Sequence, residues 1–174
     1  RSNYTHILWA AEMLLGDKRY AARIARWLME LSKSVDKCSC GNTPRDIIEK
    51  IFCLWYNAAA ISLEDKQYLA EEALNKYDYF WDILFEQIRH IGGSIIPNQE
   101  FSYRKDVADM DKAPYLSDAN NQRIAYYELL FKQTNGDTEK WLKIIQLFPH
   151  ITDEMLHTAV ETLERELGTI CDSD

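Results

Sequence analysis

The chain of 174 residues carries 20 Lys and Arg against 28 Asp and Glu, a net charge of −8, and is 47% hydrophobic and 12% aromatic. That length suits one domain able to bury about 70% of its unfolded surface, and no uninterrupted apolar run approaches the ~20 residues of a membrane-spanning helix. Four irregularly spaced cysteines exclude a disulfide scaffold, and the N-terminus lacks a signal-peptide core, so a soluble protein is expected, cytoplasmic or otherwise intracellular and in a reducing compartment.

In chain order, a first helix is expected over residues 5–15, with Gly16 and Asp17 as its break. A second follows with Tyr20, Ile24, Trp27, Leu28 and Leu31 on one face, so that 5–34 reads as an αα-hairpin. Residues 35–42 read as loop. Thr43, Pro44 and Asp46 supply a cap, a first-turn proline and an acid for a third helix, whose apolar residues Ile47, Ile48, Ile51, Phe52, Trp55, Ala58 and Ala59 extend it to 58–61. Ser62 starts a fourth, long helix that the spacing carries to Gly92 and Gly93.

A long irregular stretch occupies about 92–117, with a short helix over 103–110 as its candidate ordered part. Ser117 and Asp118 cap a fifth helix, Asn135-Gly136-Asp137 turns the chain into a sixth ended by Pro149, and Thr152 caps a last helix closed by Gly168. No segment alternates with a period of two. The expected fold is therefore all-α: a single-domain bundle over 1–174, of about seven helices in hairpin-like pairs. Leu15, Asp17, Lys18, Tyr20 and Ala22 are echoed by Leu63, Asp65, Lys66, Tyr68 and Ala70 at helix starts, as in a degenerate helical repeat.

Charge is uneven along the chain. Residues 1–50 hold nine Lys and Arg against six Asp and Glu, whereas 51–174 hold eleven against twenty-two. Arg19, Arg23 and Arg26, extended by Lys33 and Lys37, form a basic row on the second helix that suits phosphates of RNA or DNA, an acidic partner, or solvent alone. Aromatic side chains exceed what one inward stripe needs. Tyr79, Tyr103 and Tyr126 are the candidates for contact with another protein or a second copy of the chain, because a rigid ring with a polar tip is favoured at interfaces.

Catalytic signals are sparse, and the catalytic residues stay unknown. Glu154 and His157 have the spacing of half a di-iron site without the other half. Glu161 and Glu164 could pair carboxylates for magnesium. Arg1 and His6 have an R-x4-H spacing that resembles the one in HEPN-type helical ribonucleases, over six residues. Cys38 and Cys40 form a C-x-C without a second knuckle, and Cys53 falls on an apolar stripe as a buried thiol. No cofactor or metal is expected. These features rank a non-catalytic helical interaction or scaffold module first, a nucleic-acid-associated subunit second, and a helical enzyme third.

Overall fold

A computed structural model describes residues 3–34, 43–90, 115–134 and 136–171, with side chains described for those between 4 and 165. The described residues form eight α-helices and no strand: α1 Asn3–Leu15, α2 Ala21–Ser32, α3 Pro44–Ile51, α4 Leu63–Leu74, α5 Asp78–Arg89, α6 Leu116–Lys132, α7 Thr138–Gln146 and α8 Asp153–Cys171, with a 3-10 turn at Phe148–His150. Among these residues no helix is long and apolar enough to cross a membrane. The all-helical expectation holds. Several of its boundaries change.

The third helix starts as its sequence dictates. Thr43 Oγ1 accepts from the Asp46 amide at 3.2 Å, the Asp46 carboxylate accepts from the Thr43 amide at 2.8 Å, and Pro44 fills the first turn, where its missing N–H costs nothing. It ends at Ile51 and not at 58–61. Phe52, Cys53, Leu54, Tyr56, Ala58, Ala59 and Ile61 are all buried, on every side of the segment, which a helix with one inward face could not achieve. The segment runs non-helically through the interior, and the Ala60 amide donates to the Leu15 carbonyl at 2.8 Å, satisfying an end group of α1.

The expected long fourth helix is two helices. Tyr77 is extended (φ −136°, ψ 108°) between α4 and α5. Three ties hold the break: the Tyr77 hydroxyl donates to Glu30 of α2 at 2.7 Å, the Lys76 ammonium meets the same carboxylate, and Gln133 after α6 donates to Asn75 at 2.9 Å. At the chain's other end α6 begins at Leu116, one residue before its expected cap. Gly168 does not stop α8, which continues to Cys171. Gly136, at φ +74°, does make the expected turn, and Asp137 caps α7 by accepting from the Glu139 and Lys140 amides.

One hydrophobic cluster joins residues from α1 to α8. Helix α2 packs on α1, α3 and α4, and α6 packs on α4 and α5. Phe52 lies at the centre, edge-on to Phe80 with centroids 4.8 Å apart and 6.2 Å from Tyr126. The two echoed segments differ in structure. Leu15 to Tyr20 is the end of α1 and a turn, with Lys18 exposed, whereas Leu63 opens α4 and Lys66 is buried. Similar residues here serve different local geometry.

Candidate interaction surface

Helix α1 inverts the usual polarity of a surface helix. Of its thirteen residues, NYTHILWAAEMLL, only Glu12 is charged. Glu12 is turned inward at 8% exposure, 3.5 Å from the Lys50 ammonium of α3. The outward side carries His6, Ile7, Trp9, Ala10, Met13 and Leu14, spread over about 160° of the helix. Ile7 is 49% exposed, Trp9 46%, Met13 42% and Leu14 38%. The His6 ring stands edge-on to Trp9 at 5.3 Å. The opposite side, Leu8, Ala11 and Leu15, is in the core.

Helix α2, which packs on α1, departs from its expected orientation. Its buried residues are Ala21, Ala25, Leu28, Met29 and Ser32. Ala21, Ala25 and Ser32 on that side are small, which suits packing on α3 and α4, and the Tyr20 and Trp27 rings are not part of it. Both rings remain exposed, with Ile24 and Leu31 half-buried beside them. Residues 7–27 thus hold six of the twelve exposed large hydrophobic side chains among the described residues.

The basic row lies on the same hairpin, largely engaged. Arg19 binds Asp17 through Nη2 at 2.7 Å and Nε at 3.0 Å, Arg26 binds Glu72 of α4 at 2.8 Å, and Lys33 binds Glu30 at 3.2 Å. Arg26 is therefore a clamp between α2 and α4. Arg23 and Lys18 are exposed and make no ion pair among the described residues. Glu30 accepts from Lys76, Tyr77 and Lys33, which together hold its carboxyl down to about 2. Lys37 lies outside the described residues.

The three tyrosine candidates part company. Tyr126 is completely buried on α6 and hydrogen-bonded with Gln122 one turn away, so it belongs to the core and cannot contact a partner. Burial pushes its hydroxyl far above the ordinary tyrosine value. Tyr79 is half-buried: its hydroxyl accepts from Ser32 Oγ at 2.6 Å and donates to the Met29 carbonyl at 3.3 Å, fastening α5 to α2. A continuous helix would place Tyr77 and Tyr79 on opposite sides, but the break brings their rings to 5.6 Å. Tyr103, the 103–110 helix and the rest of 91–114 lie outside the described residues.

The sparse catalytic signals do not converge. His157 is exposed on α8 with Nδ1 3.4 Å from Glu161, not Glu154. His90 lies 2.9 Å from Glu86. Arg1, Cys38 and Cys40 lie outside the described residues, and so does the Cys171 side chain. Cys53 is buried as expected, and burial pushes its thiol up. Among the described residues no three His, Cys, Asp or Glu are grouped to hold a metal ion.

Two features escaped the sequence. One is the outward α1 face, whose signal was available: from Ile7 to Leu15 a single charge stands among apolar residues on every side of the helix. The other is Lys66, 3% exposed on α4, with its ammonium 3.3 Å from Asn57 Oδ1 and no carboxylate in reach among the described residues. Burial holds it down to about 8. No protein-family model, no curated protein and no solved structure matches the chain.

Proposed function

We propose that the chain is a helical protein–protein interaction module without catalytic activity, and that it docks its partner on the outward face of α1 flanked by Tyr20 and Trp27. The observation that carries this is the inverted polarity of α1, with its only charge inside and Ile7, Trp9, Met13 and Leu14 outside. Each of these four has roughly half its surface left to cover, so a partner would gain on the order of 1 kcal/mol from each. Half-exposed aromatic and methionine side chains grouped together match the composition of interface centres.

A photo-crosslinking amino acid placed at Met13, and separately at Leu142, tests this in the cells that make the protein. Leu142 is 58% exposed on α7, away from the hairpin. Met13 should yield a discrete protein adduct that Leu142 does not. Equal labelling from both positions, or none from either, overturns the docking surface.

A further inference from the structure

We infer that the occupant of this face is an acidic amphipathic helix of another protein. The inference rests on the docking surface proposed above and concerns what that surface selects.

Charge is the first ground. Each carboxylate of the described hairpin is engaged by a cation: Glu12 is inside beside Lys50, Asp17 is nearly buried and held by Arg19, and Glu30, though exposed, is shared by Lys76, Tyr77 and Lys33. The exposed Lys18 and Arg23 have no acid of their own. The charges of the described hairpin left without a counter-ion are therefore of one sign, and a partner with Asp or Glu flanking its apolar stripe complements them, whereas one with Lys or Arg is repelled. A second copy presenting the same face would bring the same sign.

Shape is the second ground. Ala10 is exposed between His6, Ile7, Met13 and Leu14, its neighbours three and four residues away on both sides, so the α1 surface has a shallow depression ringed by larger side chains. That relief accepts a side chain from an opposing helix, whose apolar residues recur at the same three- and four-residue spacing.

The test uses two fluorescein-labelled synthetic helices titrated into the full chain by anisotropy. Both carry leucine at i, i+3/i+4 and i+7, one with glutamate and the other with lysine on the flanks. The glutamate peptide should bind at least about tenfold tighter at low salt, with the difference shrinking as salt screens these charges. Lys18→Glu with Arg23→Glu should reverse the preference, and Ala10→Arg should abolish binding while the thermal melt stays unchanged. Equal affinity for the two peptides overturns the acidic partner and leaves the docking surface standing. Binding of neither peptide overturns the helical partner, and the Met13 crosslink then decides the surface by itself. Binding to phosphatidylserine vesicles alone, or self-association removed by Ala10→Arg, would replace the inferred occupant by a membrane or by a second copy.

Discussion

Helices α1 and α8 stand at the two ends of the described chain and solve the same problem in opposite ways. In α8, Met155, Ala159 and Leu163 face the core, while Asp153, Glu154, Glu161 and Glu164 are exposed. Water completes that helix. In α1 the carboxylate is inside and the outer side is apolar. Water completes α1 poorly, because apolar surface left in water forgoes about 25 cal/mol per Å². Two helices of one bundle thus carry opposite surfaces, one charged and one apolar.

The largest effect should come from placing one charge on the wrong side of each helix. Ala159 is fully buried, so Ala159→Arg forces an unpaired guanidinium into the core and should cost about 3 kcal/mol or more, read by thermal or urea unfolding. Ala10→Arg places the same group on the exposed side of α1 and should leave the transition in place. Equal losses at both sites would erase the contrast between the helices.

The next effect concerns charges inside the protein. Glu12 has Lys50 nearby, but Lys66 has only an amide oxygen. Burial lowers Lys66 from 10.5 to about 8, so between those values the unfolded chain holds more protons than the folded one. Stability from this group therefore rises with pH from about 8 to 10.5, and the destabilisation is full below that window. Lys66→Met should stabilise the protein by roughly 2–3 kcal/mol at pH 7 and by little above pH 10.5, measured by urea unfolding across pH. A gain independent of pH would show that desolvation of the ammonium is not its origin.

A smaller effect is expected at the α2–α5 junction, on the acid side. Glu30 is depressed from 4.5 to about 2 by Lys76, Tyr77 and Lys33. A depressed carboxylate contributes stability above its unfolded value, and this is lost as pH falls from about 4.5 through 2. Glu30→Gln should lower stability modestly at neutral pH, where the contribution is present, and progressively less as pH falls through that window, which flattens this part of the acid-unfolding curve. Unchanged curvature in the variant would assign the acid transition to other carboxylates.

Helix starts with a strong local signal were legible in the sequence, because Thr43 and Ser62 accept from amides three residues away. Helix ends were less so. The end of α3 depends on burial of 52–61 from several sides, and the break before α5 depends on Glu30 and Gln133, which are distant in sequence. Periodicity reports one helix's own spacing and is blind to such partners. The candidate site shows the same division: the basic row could be seen, but its ties to Asp17, Glu72 and Glu30 needed tertiary structure, as did the burial of Tyr126. The inward face of α2 was misplaced because hydrophobicity weights Trp27 above Ala25, whereas close helix packing favours the smaller side chain.

The smallest expected effect is also the sharpest test of the α1 surface. Trp9→Ser with Met13→Ser removes two large side chains that contribute to the core only through their covered halves. If the outward face is free in the isolated protein, the loss should stay near 1 kcal/mol, with better solubility and no change in the far-ultraviolet spectrum. If the face is covered by the protein's own chain in solution, the same pair should behave like a core truncation and cost about 4 kcal/mol or more. The latter outcome would make α1 an interior helix and remove the reason to expect a partner on it, since a side chain already packed has nothing further to gain from docking.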